Sequence, residues 1–293
     1  MAIPFIRTLE APYEASVKLS PLVSRVLAQN PGPFTFKGTG VYIVGQTDVA
    51  VIDPGPIIPG HLDALKRALE GKNVTHILVT HTHNDHSPAA QPLKEWTGAK
   101  TYAYGPHGSG KAEDGVKVEE GGDMAFVPDV RVKDGDVIKG NGFTFECVYT
   151  PGHTSNHMCF ALREEKALFT GDHIMGWSTT VVTPPDGDMA QYMASVRKLL
   201  ARDDEILYPT HGAPVSDPKP FLEAYLDHRL DRERQILACI KDGVATIPDM
   251  VARMYADVDK RLHPAASRSV LAHLIQLTDE GRVSLNDGRY ALV

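Results

Sequence analysis

The stretch "THTHNDHSPAA", residues 80–90, sets His81, His83, Asp85 and His86 within six consecutive positions. Imidazoles crowded this closely repel one another as soon as they protonate, and a cation shared among their neutral nitrogens removes the conflict. Two histidines at i and i+2 project to the same side of an extended backbone, and the turn that follows can carry Asp85 and His86 to a second position nearby. A lone H-x-H pair is more often ordinary surface or core histidine than a ligand, so the reading depends on what the rest of the chain supplies.

The rest of the chain repeats the design. "HILVTH" is an apolar strand that runs into His81; "FTFECVYTPGH" ends at His153, "KALFTGD" at Asp172 and "EILYPTH" at His211. Strand ends gather on one rim of a sheet, so groups far apart in sequence meet there. The five histidines and two aspartates named so far are enough for two ions. Asp53, which ends "VAVID", and Thr80 and Thr150, which precede ligand motifs, are candidates to orient the imidazoles by hydrogen bonding. His61, His76, His107, His228, His263 and His273 lie in helices or loops without such company and read as structural. His157 and His173 sit beside ligand motifs and read as supporting or packing residues. Cys147, Cys159 and Cys239 form no C-x-x-C pair and are expected to be small buried hydrophobes.

Further apolar, β-branched runs bounded by Gly, Pro or Asp, "GVYIVG", "DVAVIDPG" and "MCFALREE", predict more buried strands. "HLDALKRALEG" and "DMAQYMASVRKLLARDD" read as helices, the second with Tyr192, Met193, Val196, Leu199 and Leu200 along one face. Several strands follow one another directly, so the architecture is a mixed α/β sheet rather than a doubly wound one. Past residue 215 the pattern changes to a long helix, "DPKPFLEAYLDHRLDRERQILACIK", two shorter ones, and "RVSLNDGRYALV", a hairpin turning at Asn286-Asp287-Gly288. Helices followed by a hairpin read as a winged helix. Two domains are therefore expected, residues 1–220 carrying the metal centre and 221–293 the winged helix, each with its own apolar periodicity.

The formal net charge of -7 over 293 residues offers polyanions no general attraction. From residue 223 onward ten Lys and Arg face eleven Asp and Glu, a balance of 10 - 11 = -1 that makes DNA an unlikely partner for the winged helix. The expected role of that domain is to cover the metal site or to form a homodimer contact. No stretch approaches the roughly 18 apolar residues of a membrane span, and the N-terminus has no signal-peptide pattern, so a cytoplasmic protein is expected.

"THTHNDH", "TPGHT", "TGD" and "YPTHG", with "GTGVYIVG…VAVIDPG" before them, resemble the motifs of the metallo-β-lactamase superfamily. The resemblance implies an αββα sandwich with a dinuclear site at one edge: His81, His83 and His153 on one ion, Asp85, His86 and His211 on the other, and Asp172 bridging. The tail is similar to the lactamase-like subfamily with a C-terminal winged helix, whose best-known member is an endoribonuclease acting on single-stranded RNA. Pro88 and Ala89 stand where such proteins usually have glycines, and Thr210 where a glycine precedes the last histidine, departures expected to reshape the mouth of the pocket. With nitrogen and oxygen ligands only, two Zn²⁺ ions are the expected cofactors, Mn²⁺ or Fe also suiting the set. Ions about 3.5 to 4 Å apart lower the pKa of a shared water toward neutrality, and Asp85 is the residue expected to orient or deprotonate it. Three functions compete. Hydrolysis of single-stranded RNA is favoured by the subfamily resemblance, hydrolysis of a small ester, thioester or lactam uses the same chemistry, and a non-enzymatic ligand sensor is disfavoured by the intact ligand set. An open, positive channel would mark the first and a closed, apolar cup the second.

Overall fold

The computed structural model describes residues 3–111 and 121–293. One sheet contains β1 (Ser16–Lys18), β2 (Val23–Leu27), β3 (Gly40–Gly45), β4 (Asp48–Ile52), β5 (Asn73–Leu78), β6 (Lys100–Ala103) and β7 (Val130–Arg131) in sequence order. Its pairing is antiparallel up to β4 and parallel from there on, because α1 (Pro59–Ala68) and α2 (Ala90–Thr97) serve as crossovers on either side of β5. The second sheet contains β8 (Val137–Gly140), β9 (Phe143–Tyr149), β10 (Met158–Leu162), β11 (Ala167–Gly171) and β12 (Ile206–Pro209), ordered β12-β11-β10-β9-β8. Here α3 (Met189–Leu200) crosses over between β11 and β12, which pair in parallel.

Side-chain alternation shows how the layers stack. Along β3, Tyr42 and Val44 enter a core they share with Phe145, Cys147, Phe160 and Phe169 of the second sheet, whereas Val41 and Ile43 face the core shared with Ala64, Leu65, Ala90 and Leu93 of α1 and α2. Along β10, Phe160 points between the sheets, while Cys159 and Ala161 join Tyr192, Val196 and Leu199 of α3. Each sheet is therefore apolar on both faces, which is why its strands read as nearly continuous hydrophobic runs. The result is the expected αββα sandwich. Five of its strands, β1, β2 and β6 to β8, were not among the clear runs; four of them carry exposed residues that interrupt the pattern.

The tail begins with α4 (Pro218–Lys241) and continues through α5 (Ile247–Met254), α6 (His263–Asp279) and the hairpin β13 (Val283–Asn286) and β14 (Arg289–Leu292). The hairpin turns at Asp287 and Gly288, both at positive φ (48° and 74°), as a two-residue turn requires. The domain boundary expected after residue 220 coincides with the first turn of α4, but that helix serves both parts. Phe221, Leu222 and Tyr225 complete the core outside the second sheet, and Ile236, Cys239 and Ile240 belong to the core formed with α5 and α6. All three cysteines are buried and free.

Candidate metal centre

Four strand ends deliver the site. His81, His83, Asp85 and His86 follow β5, His153 lies in the turn after β9, Asp172 follows β11 and His211 follows β12. Two glycines let these turns close. A Cβ on Gly152 (φ 134°) would lie 2.3–2.4 Å from the Tyr192 backbone, and one on Gly171 (φ 51°) would lie 2.6 Å from both Thr80 Oγ1 and His157 Nε2.

The seven side chains form two adjoining clusters, one of His81, His83, His153 and Asp172 and one of Asp85, His86 and His211. In the first, His83 Nδ1 lies 2.9 Å from His81 Nε2 and 3.1 Å from His153 Nε2. In the second, Asp85 Oδ2 lies 3.1 Å from His211 Nε2 and 3.5 Å from His86 Nε2. Asp172 stands between them, Oδ1 at 3.4 Å from His211 Nε2 and 3.6 Å from His86 Nε2, and Oδ2 at 3.9 Å from His153 Nε2.

Hydrogen bonds on the far side of the rings fix which nitrogen faces inward. His153 Nδ1 donates to the Val181 carbonyl (2.6 Å) and His211 Nδ1 to the Gly38 carbonyl (3.1 Å). His86 Nδ1 lies 2.9 Å from Asp53 Oδ2. The Thr80 hydroxyl donates to Asp53 Oδ2 at 2.7 Å and so accepts from His81 Nδ1 at 3.1 Å. In the neutral ring each of these four histidines turns a bare Nε2 lone pair toward the carboxylates and the other rings. Lone pairs converging at hydrogen-bond distance suit a shared cation. His86 Nε2 and Asp172 Oδ1, both buried, make no hydrogen bond among the described residues, as expected of atoms reserved for an ion. The donor set fits divalent metal.

Electrostatics point the same way. Burial, together with the neighbouring rings of His86, His83 and His153, holds the His81 pKa well below the usual imidazole value, so the ring is neutral. Burial acts in the same direction on His86 and His211, but there the facing carboxylates outweigh it, raising His86 well above the usual value and His211 to about 10. The corner containing Asp85 and Asp172 thus demands positive charge.

Asp53 is the hub behind the site, receiving hydrogen bonds from the Thr80 amide and hydroxyl, His86 and Thr210. Thr150 behaves differently from expectation: its hydroxyl pairs with His157 Nδ1 and Cys159 Sγ, so it orients a ring stacked on His81 rather than a member of either cluster. His173 is buried against Tyr192. His107 lies nearer the site than its sequence context suggested, with its Nδ1 2.9 Å from the Thr82 hydroxyl and its ring 6.1 Å from that of His83. Thr210 does not reshape the pocket mouth; it is buried and bonds Asp53.

Sequence reasoning missed several supports. Thr39 donates to Asp85 Oδ2 (3.0 Å) while accepting from Asn30 (2.9 Å). The loop after Asp172 is pinned by Tyr192 to the His173 carbonyl, by Tyr225 to those of Met175 and Ser178, and by Arg229 to that of Thr180. Above the clusters opens a cavity of about 760 Å³ whose lining includes Phe34, Met175, Val181 and Pro184, with Arg268 from α6.

The chain belongs to the metallo-beta-lactamase superfamily, whose family model matches residues 35–211; a beta-lactamase associated winged helix domain matches residues 246–289. It is a hydrolase of that superfamily, whose members typically bind divalent metals. Among curated relatives, it is 30% identical over 292 residues to an atrochrysone carboxyl ACP thioesterase from Cryptosporiopsis sp., covering 93% of this chain and 84% of that protein. It is 32% identical over 271 residues to a beta-lactamase-like protein 2 homolog from Caenorhabditis elegans, covering 91% and 87%. A crystal structure of a beta-lactamase domain protein from Burkholderia ambifaria superposes over 100% of this chain and 97% of its own with a TM-score of 0.80 at 22% identity, a likeness of fold.

Proposed function

We propose that the protein hydrolyses a small acyl substrate, a thioester first among them, at a dinuclear centre in which His81, His83 and His153 would hold one ion and Asp85, His86 and His211 the other, with Asp172, which stands between the clusters, available to both. Zn²⁺ suits the nitrogen and oxygen donors, and Mn²⁺ or Fe would also be accepted. Two such ions supply Lewis acidity and acidify water at neutral pH. Asp85 is the acid-base residue: both aspartates line the cavity, and its side chain is 26% exposed against 11% for Asp172, so its carboxylate is the more open of the two. Thr39 donates to Oδ2 of that carboxylate. From there it orients the attacking water and takes its proton as the water oxygen bonds to the acyl carbon; as the carbon–sulfur bond breaks, the same carboxyl group returns that proton to the departing thiolate.

The observation that carries the choice of substrate is the cavity, an apolar cup of about 760 Å³ whose lining contains one Lys or Arg, Arg268, among the described residues. Single-stranded RNA needs a basic groove with bases stacked along it, and the sequence-based preference for RNA gives way on this point. The thioesterase named among the relatives supports the acyl reading.

The test is a panel of acyl thioesters, a chromogenic lactam and a single-stranded RNA, each with and without chelator. Chelator-sensitive thioester hydrolysis with intact RNA is expected; cleaved RNA with untouched thioesters would overturn the reading. Asp85→Asn should keep the fold and lower turnover by about 10²- to 10⁴-fold.

A further inference from the structure

The winged helix reaches the metal cavity through a single cation. Helix α6 is seated by Val270 and Leu274 in the tail core and by Ala272 in the core outside the second sheet, so its position relative to the metal domain is fixed by packing on two sides. Its remaining face carries Arg268, Leu271 and Ile275, spaced i, i+3 and i+7. Arg268 lines the metal cavity, whereas Leu271 and Ile275 line an adjoining cavity of about 650 Å³, and Pro184 contributes to both. The nearby arginines Arg229 and Arg232 are engaged: Arg229 donates to Thr180 and stacks on Tyr192, and Arg232 bonds Gln235 and stacks on Tyr255. Arg268 makes no hydrogen bond or ion pair among the described residues and stays exposed. An unneutralised guanidinium on the wall of the cup, beside Met175, Val181 and Pro184, is suited to bidentate capture of an oxyanion.

We propose that Arg268 binds an anionic group, carboxylate or phosphate, carried by the substrate away from its scissile carbonyl, so that the winged helix sets specificity for anionic acyl substrates. This rests on the acyl reading of the cavity. The anion can belong to the acyl part, as a distal carboxylate, or to the thiol carrier, as a phosphate. Arg268 and the clusters line the same cavity, where Met175, Val181 and Pro184 give the apolar stem between anion and carbonyl room to lie.

Two matched pairs separate the sources: S-butyryl against S-succinyl N-acetylcysteamine, and S-butyryl pantetheine against its 4′-phosphate. Each is used as the thioester for KM and kcat, and as the non-hydrolysable analogue with CH₂ in place of sulfur for calorimetric binding to the metal-loaded protein. The wild type should bind the charged member of at least one pair about 10- to 100-fold tighter than its neutral twin. Arg268→Gln should lose that preference through KM rather than kcat, and Arg268→Lys should retain part of it. A wild type indifferent to charge in both pairs, or a preference that survives Arg268→Gln, would overturn the inference. An Arg268-dependent preference in binding without hydrolysis of any thioester would uphold the inference and overturn the acyl-hydrolase reading alone.

Discussion

Thr39 bonds to Asp85 through a hydroxyl whose direction is set from behind: Asn30 donates to it, so its own proton points at the carboxylate. Thr39→Val keeps the shape and removes that donor. Because groups that orient ligands typically govern about 10- to 100-fold of metal affinity, the variant should fold normally and release metal from the Asp85 cluster to a competing chelator more readily, which a chelator titration reads. Asp53→Asn should cost more in the same assay, since one amide oxygen replaces two that accept from Thr80, His86 and Thr210. If both variants match wild type, the buried network is scaffolding without influence on the site. The seven clustered side chains were legible because their motifs follow apolar strands, and the spacing of H-x-H-x-D-H is rare. Thr39, Asn30 and Thr210 were not legible as supports, because a hydroxyl or amide in a loop has the same local pattern whatever it touches across the fold.

At the level of elements, α4 joins the loop after Asp172 to the tail. Tyr225 packs from α4 into the core outside the second sheet, but its hydroxyl also accepts from the Met175 amide and approaches the Met175 and Ser178 carbonyls. Helical periodicity reports burial and not the partner of a polar tip, which is why the pinning of the loop by Tyr192, Tyr225 and Arg229 was not visible in advance. Tyr225→Phe preserves the ring and should cost about 1–3 kcal/mol in denaturant unfolding, the range for a lost buried hydrogen bond with partners left unpaired. The same helix argues against a clean separation at residue 220. A chain ending there loses Phe221, Leu222 and Tyr225 from the core outside the second sheet and should melt at markedly lower temperature than the full chain, or without cooperativity; an unchanged melting curve would show that α4 is dispensable to the sandwich.

At the level of the whole molecule, two pH-sensitive histidine populations differ in kind. The clustered rings belong to the candidate metal centre, whereas His273 is buried in α6 with neither ring nitrogen hydrogen-bonded among the described residues, and burial, with Arg229, His228 and Arg232 nearby, lowers its pKa to about 3. Its folded pKa lies below the unfolded value near 6.5, so its contribution is complete above that value and is lost as pH falls toward 3. His273→Leu should therefore melt less steeply with falling pH below 6.5 than the wild type; parallel pH dependences would contradict this. Among the described residues no helix is long and apolar enough to cross a membrane, and the net charge of -7 offers polyanions no general attraction.

The central claim is that the seven clustered side chains hold two ions. It is tested most directly by the molar ratio of transition metal to protein, from elemental analysis of chain purified without chelator beside His211→Ala. The account predicts about two ions per wild-type chain and about one in the variant. A wild-type protein without bound metal, or a ratio that His211→Ala leaves unchanged, would contradict it.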